Sequence, residues 1–318
     1  MTEFVIAVDG GGSKTDVVAL ALDGAILGSA RGEGSSPHIV GLERSVAIVD
    51  ELVREVASVG SLVGAHVYLS GVDLPAEIAA FENSIAGLDW AANSVVDNDL
   101  FALLRAGTSD HNAVAVVCGT GINAVGVRAD GATARFPALG NISGDWGGGW
   151  HLGEQALWHA ARGDDGRGPH TVLEQLIPPV FERETVTEVI EALHFGAINI
   201  AELHRLAFAL LDAAAAGDAI ATRVVERQVE EIVIMASIAL KRLELLDTAV
   251  PVVLGGGLIA AGYAQLNDGV ADGLAERAPL ARIEWVTQKP ILGAALLALE
   301  AAGAAVDAVE TARKALTQ

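Results

Sequence analysis

The chain states one structural phrase twice. Val5-Ile6-Ala7-Val8-Asp9 runs into Gly10-Gly11-Gly12-Ser13-Lys14-Thr15, continues as Asp16-Val17-Val18-Ala19-Leu20 and closes on Asp23-Gly24. About 110 positions later Ala113-Val114-Ala115-Val116-Val117-Cys118 runs into Gly119-Thr120-Gly121, continues as Ile122-Asn123-Ala124-Val125-Gly126-Val127 and closes on Asp130-Gly131. Each copy predicts a buried strand, a glycine-rich turn bearing hydroxyls, a second strand, an Asp-Gly turn and a third strand. Asp-Gly between apolar runs is a strong hairpin signal, and the expected two-residue turn has both central residues at positive φ. Glycines in the first turn let backbone N–H groups approach an anion. The duplication predicts two similar domains gripping one phosphate chain from opposite sides, although one such turn alone is an ordinary tight hairpin.

Two better-known phosphate loops are excluded. A P-loop needs Gly-Lys-Ser/Thr and then a helix; here Ser13-Lys14-Thr15 is followed by a Val-rich, strand-like run. The dinucleotide fingerprint fails for the same reason, since its third glycine opens a helix. Hairpin amides and hydroxyls must therefore hold any phosphate at the first turn.

The 318-residue chain carries 20 Lys and Arg against 41 Asp and Glu, a formal net charge of −21. That balance excludes the clustered cations on which nucleic-acid binding rests, and it opposes adhesion to anionic membranes. A solvated, self-repelling surface accounts for the acidity. The single cysteine, Cys118, excludes a disulfide framework and a thiolate metal cluster. Met-Thr-Glu-Phe lacks the basic start and apolar run of a signal peptide, and 232–240 and 291–299 are too short and too closely flanked by charge to span a bilayer. A cytoplasmic protein is expected.

After the first phrase, Gly32 to His38 is a loop by composition, and Leu42 to Val59 has helical spacing. His66 to Asp73 predicts a strand ending in a small-residue turn, Pro75 to Ile85 a short helix, and Ser94 to Asp99 a strand ending in carboxylates. Beyond the second phrase, Glu182 to His194, Ile200 to Ala216 and Ala219 to Leu246 predict helices, with Gly217-Asp218 as a C-cap followed by a new N-cap. Pro251 to Leu254 predicts a buried strand breaking into Gly255-Gly256-Gly257, and Ile283 to Val286 a short strand. An Ala-rich helix from Leu292 ends the chain. This order predicts mixed sheets covered by helices, in domains of residues 1–110 and 111–318. The last helix is free to pack back on the N-terminal domain.

Three glycine-rich turns at strand ends, Gly10 to Thr15, Gly119 to Asn123 and Gly255 to Gly257, give an order that resembles the sugar kinase, heat-shock ATPase and actin superfamily. Within it the chain resembles the BadF/BadG/BcrA/BcrD-type ATPases, which include N-acetylglucosamine kinases. The matching residues are Asp9 to Thr15, Asn98-Asp99, Gly119-Thr120-Gly121, Gly144-Asp145-Trp146-Gly147-Gly148-Gly149 and Asp165-Gly166-Arg167-Gly168-Pro169. The resemblance implies two actin-like (ribonuclease H-like) α/β domains, each a mixed sheet flanked by helices, with ATP and Mg²⁺ in the cleft between them and a sugar as acceptor. It allows a homodimer.

A sugar kinase must orient an alcohol toward the γ-phosphoryl group, take its proton and neutralise charge on the phosphoryl oxygens. On position alone Asp99 reads as a helix N-cap rather than a base; the match of Asn98-Asp99 to the family's catalytic Asp reverses this and makes Asp99 the candidate base. Asp97 lies one residue outside the motif. Asp9 is placed to hold Mg²⁺ through water, or to stabilise its turn. Gly11, Gly12, Ser13, Lys14 and Thr15 offer donors to phosphate, Lys14 alternatively pointing to solvent, and Thr120 and Gly121 form the opposing pair. By resemblance Gly255, Gly256 and Gly257 approach adenosine; without it they read as a packing turn. The resemblance further assigns Ser36, His38, Ser70, Gly71, Gly140 and Asp145, with Asp99, to the acceptor. Ser36 stands where the family has an Asn, His38 where it has an aromatic, and Trp146 where many relatives have Glu. Phosphorylation of an amino sugar, N-acetylglucosamine at its 6-hydroxyl, is the leading expectation, with glucosamine, another hexosamine or N-acetylmuramic acid as alternatives. An ATPase activator of a radical dehydratase needs cluster-binding cysteines that this chain lacks. A non-catalytic sugar sensor on the same scaffold is opposed by the retained Asp9, Asp99, Thr120 and Asp145.

Overall fold

A computed structural model describes residues 2–57 and 60–317. The chain runs β1 Glu3–Gly10, β2 Lys14–Ala21, β3 Ile26–Glu33, α1 Pro37–Val40, α2 Leu42–Val56, β4 Ser61–Leu69, α3 Pro75–Ile85, β5 Val95–Asn98 and α4 Asp99–Gly107. It then forms β6 Ala113–Cys118, β7 Ile122–Val127, β8 Thr133–Arg135, α5 Gly148–Asp164, α6 Leu173–Val180, α7 Val186–His194, α8 Leu206–Ala215 and α9 Ala219–Arg242. β9 Pro251–Gly255, α10 Gly257–Ala260, α11 Ala264–Arg277, β10 Arg282–Trp285, α12 Pro290–Ala301 and α13 Val306–Thr317 complete it. Two compact units result: Met1–Ala115 with Val127–Pro137 and Glu284–Gln318, and Val116–Gly126 with Ala138–Ile283. No helix among the described residues is long and apolar enough to cross a membrane.

The duplication read from the sequence is a duplication of topology. One five-stranded sheet has the order β3-β2-β1-β4-β5, and the other, taken from its β8 edge, has β8-β7-β6-β9-β10. In the first sheet β1 pairs antiparallel with β2 and parallel with β4, and β4 pairs parallel with β5. Parallel strands bring their C-terminal ends to one edge, so Gly10, Leu69 and Asn98 finish on the same side.

The run from Phe4 to Val8 is apolar at every position because both faces of the sheet are covered. Phe4, Ile6 and Val8, with Val17 and Ala19, pack on Ile48, Val49, Leu52 and Val53 of α2 and Phe81 and Ile85 of α3. Val5, Ala7, Val18 and Leu20 point to the opposite face and pack on Leu292, Leu296 and Leu299 of α12 and Val309 and Ala312 of α13. Helices from the end of the chain thus complete the core of the first unit.

Several expectations change in detail. In both Asp-Gly turns only the glycine has positive φ, 89° at Gly24 and 90° at Gly131. Gly24 N–H donates to Ala21 O and Ala21 N–H to Ala25 O (both 2.9 Å); Gly131 N–H to Arg128 O (2.8 Å) and Arg128 N–H to Ala132 O (2.9 Å) repeat the pattern. Each is therefore a longer turn with one left-handed glycine rather than the two-residue form. The Asp accepts from the amide two residues on, at 3.0 Å from Ala25 and 3.2 Å from Ala132. The last helix is two, because Gly303 takes φ +73° after α12. α9 stops at Arg242 rather than Leu246, with Glu244 left-handed at φ 58°. α7 starts only at Val186, where Thr185 accepts from Glu188 N–H at 3.2 Å. The strand expected from His66 begins at Ser61 and ends at Leu69. α2 ends at Val56; Ser58 and Val59, expected to extend it, lie outside the described residues, as does Met1 of the N-terminal sequence.

Leu296→Ala should lower the stability of the first unit by about 2–5 kcal/mol, the cost of a buried leucine cavity. Urea unfolding followed by a probe in the N-terminal strands measures it; a change below about 0.5 kcal/mol would mean that α12 is not part of that core.

Candidate functional site

In the first unit the turn between β1 and β2 is closed by Gly11 N–H donating to Lys14 O at 2.9 Å. The Gly12 and Ser13 amides, on exposed residues, have no backbone partner in this turn and are open to an anion. Two further loops are pinned to it: Ser35 N–H donates to Gly11 O at 3.1 Å and Ser70 N–H to Gly10 O at 2.8 Å. The loops carrying Ser36 and His38, and Ser70 and Gly71, therefore border the first turn. Thr15 is fully buried, its hydroxyl bonded to Glu33 O and Ser35 Oγ (both 2.7 Å), which makes it a strut under the turn. Lys14 Nζ lies 2.9 Å from Asp16 Oδ2, so its ammonium is engaged on β2.

Asp9 and Asp99 are the unusual charges. Asp9 is buried at the end of β1, opposite Asp16 in the β2 register. Burial first, then the nearby Asp99 and Asp16, push its pKa up to about 8, against the opposing pull of Lys14. Asp99 opens α4 directly after β5 and is half-buried. Burial first, then Asp73, raise its pKa to about 7, while the backbone amides of Asp99 and Leu100 pull the other way. The N-cap role weighed for Asp99 falls to Asn98, whose side chain accepts from Leu100 N–H at 2.9 Å. That frees Asp99 from capping. Asp97, by contrast, is held by Arg135 through bonds of 2.6 and 2.8 Å. Carboxylates with this little compensation are chemically suited to a hard divalent cation, which takes oxygen donors.

In the second unit three segments converge. The Gly119-Thr120-Gly121 turn is closed by Gly119 N–H to Gly121 O at 2.9 Å, with Thr120 and Gly121 exposed. The start of α5 is stitched to it: Gly149 N–H donates to Gly119 O (2.7 Å) and Trp150 N–H to Thr120 O (2.9 Å). Gln228 Oε1, on α9, takes the Gly148 N–H at 2.7 Å. Gly256, at φ +99°, lies so close to the Cys118 backbone that any side chain there would collide with it. The third glycine turn therefore abuts the end of β6, beside the second.

A cavity of about 190 Å³ opens there, lined by Gly121, Ile122, Ala138, Gly140, Asp145, Gly147, Trp150 and His151. It joins Gly121, Gly140 and Asp145, all singled out from the sequence. Asp145 Oδ2 accepts from Ser143 Oγ at 2.5 Å, and Asp145 N–H donates to Gly140 O at 3.0 Å, which fixes this loop. Trp146 is buried beside that lining, its ring centroid 5.8 Å from that of His151 and 3.9 Å from the Arg227 guanidinium. Cys118 is buried, and burial pushes its thiol up to about 12.

Sequence reasoning missed Glu77, Asp73 as a partner of Asn98, Gln228 and His151. Only Glu77 carried a local signal, a Glu at the third position of a Pro-led helix. Asp73 and Gln228 sit on elements remote in sequence from the groups they meet.

The sequence profile of the BadF/BadG/BcrA/BcrD ATPase family matches residues 6–298. The N-acetyl-D-glucosamine kinase of Dictyostelium discoideum is 28% identical over 93% of this chain and 98% of its own length. The N-acetylmuramic acid/N-acetylglucosamine kinase of Clostridium acetobutylicum is 25% identical over 81% of this chain and 86% of its own. A solved structure from Chromobacterium violaceum, provisionally named an N-acetylglucosamine kinase, superposes with a TM-score of 0.70 at 25% identity, covering 92% of this chain and 98% of that one. A ROK family glucokinase from Streptomyces griseus shares the fold, with a TM-score of 0.55 at 16% identity over 93% and 99% of the two chains. The two actin-like sheets are thus those of sugar kinases.

The Asp99 carboxyl has a folded pKa raised to about 7, against about 3.9 when unfolded. Its contribution to stability is fully present below pH ~4 and is lost as pH rises through about 7. In metal-free protein Asp99→Asn should remove part of that decline, so the variant gains about 1–3 kcal/mol relative to wild type between pH 4 and pH 8. Thermal unfolding across that range reads it, and parallel curves would show that Asp99 titrates normally.

Proposed function

The chain belongs to the BadF/BadG/BcrA/BcrD ATPase family, and from that premise we propose that it is an ATP-dependent amino-sugar kinase that phosphorylates the 6-hydroxyl of N-acetylglucosamine, with Asp99 as the base. The observation that carries this reading is the state of Asp99. It stands at the C-terminal end of a parallel strand, relieved of capping by Asn98, with its pKa raised to about 7. A base poised near neutral pH takes the alcohol proton most effectively. As the acceptor oxygen bonds to the γ-phosphorus, the bond from that phosphorus to the bridging oxygen breaks, ADP leaves, and the alcohol proton goes to Asp99.

The remaining assignments follow the same chemistry. The open Gly12 and Ser13 amides in the first unit, and the exposed Thr120 and Gly121 in the second, serve as phosphate donors. Lys14 and Thr15 support the first of these turns through Asp16 and Ser35. Mg²⁺, when bound, supplies neutralisation of charge on the phosphate oxygens, with Asp9 as its water-mediated anchor. Gly255, Gly256 and Gly257 offer backbone to adenosine. Ser36, His38, Ser70 and Gly71 in the first unit, and Gly140 and Asp145 in the second, are the acceptor contacts.

ADP release with Mg-ATP over a panel of N-acetylglucosamine, glucosamine, N-acetylmannosamine, N-acetylmuramic acid and glucose tests the acceptor. The highest kcat/KM is expected for N-acetylglucosamine, and a tenfold preference for another sugar replaces it as substrate. Asp99→Asn should lower kcat by at least about 10³-fold while ATP and sugar affinities stay within about threefold. Turnover within tenfold of wild type would remove Asp99 from the role of base.

A further inference from the structure

The loop that carries Ser36 and His38 and the loop that carries Ser70, Gly71 and Asp73 meet at one side chain outside the proposed contact set. Glu77, in the first turn of α3, uses both carboxylate oxygens. Oε2 accepts from Asp73 N–H at 2.9 Å and from Leu74 N–H at 2.8 Å. Oε1 lies 2.7 Å from His38 Nε2, which donates to it. Leucine at 74 has no side-chain acceptor to complete a reciprocal capping box, so Glu77 binds this turn from one side only.

The connections continue to the base. Asp73 Oδ1 accepts from Asn98 Nδ2 at 2.8 Å, and Asn98 Oδ1 accepts from Leu100 N–H at 2.9 Å. Asp73 and Asn98 are both buried. His38, Glu77, the Asp73 backbone, the Asp73 carboxylate and Asn98 therefore form a continuous path to the residue pair that holds Asp99 at the start of α4. The seat beneath His38 is equally tight: a side chain at Gly71 would stand 2.7 Å from Ser36 Oγ and 2.9 Å from His38 Cγ. His38, Asp73 and Glu77 offer ligand atoms within 4.8 Å of one another, the compactness a divalent cation needs. In this arrangement each is already engaged by a protein hydrogen bond. Burial works against the Glu77 charge, yet the bonds from His38 and from the Leu74 and Asp73 amides hold its carboxyl below its usual range.

We infer that Glu77 is a positioning residue for the acceptor: through His38 it fixes the 34–41 loop, and through Asp73 and Asn98 it fixes the approach to Asp99. The inference rests on the sugar-kinase reading for its kinetic consequence, and on geometry alone for its structural one. The charged carboxylate is needed because it accepts three hydrogen bonds at once. Glu77→Gln keeps the size, and its amide oxygen can still accept from the Asp73 and Leu74 amides. Its amide NH₂ then faces His38 in place of an acceptor.

Two measurements on the full-length protein test it. Hydrogen exchange without ligands should rise about fivefold or more over residues 34–41 in Glu77→Gln, some 40 positions from the substitution. KM for the best hexosamine should rise about tenfold while KM for ATP stays within twofold. His38→Gln, which leaves the α3 turn untouched, should reproduce both shifts, and the double variant should be no worse than Glu77→Gln alone. Unchanged exchange over 34–41 in either single variant overturns the inference, even if the wild type phosphorylates no sugar in the panel, a result that would sink the kinase reading instead. Sugar and ATP KM values rising together, additive losses in the double variant, or stoichiometric metal released from the wild type but not from His38→Gln also overturn it.

Discussion

A sheet that is apolar on both faces must be covered on both, and this constraint governs the first unit. The β1 and β2 residues alternate between two separate cores. One is filled by helices that follow the strands closely, the other by α12 and α13 from the end of the chain. Burial of this kind is the main source of folding free energy. The strand ends, where the glycine turn and carboxylates gather, are thereby held between the two cores.

On that scaffold the chain holds a cost. Asp9 and Asp99 are near one another and short of cations, and both are held well above the usual carboxylate range. Groups arranged in this way are less stable charged than they would be in water, which is the usual trade at catalytic sites. The neighbouring acids are treated differently. Asp16 is gripped by Lys14 and Arg31, and Asp97 by Arg135. Asp16 and Asp97 are thus tied into ion pairs, while Asp9 and Asp99 keep raised pKa values.

The legible parts were those encoded locally. The duplicated strand–turn–strand order, the Pro75 helix and the Asp218 cap, whose side chain accepts from the Ile220 and Ala221 amides, all depend on a few adjacent residues. Errors clustered where a distant partner or a single left-handed residue decides. Gly303 cut one expected helix into two, and Glu244 ended α9 early. The Asp-Gly turns were found, but their form was missed because the Asp side chain bonds the amide two residues on and leaves only the glycine left-handed.

By itself the sequence determined the duplicated topology, the three glycine turns and the identity of the acids at strand ends, because alternation and glycine placement are properties of neighbouring residues. Only the tertiary structure decided what each acid does. Asn98 rather than Asp99 caps α4, Arg135 removes Asp97 from consideration, and Glu77 joins two loops and reaches toward Asp99 through Asp73. The last two outcomes depend on side chains between 25 and 39 positions apart meeting in space, and charge, burial and hydrogen bonding act through distance in space rather than along the chain.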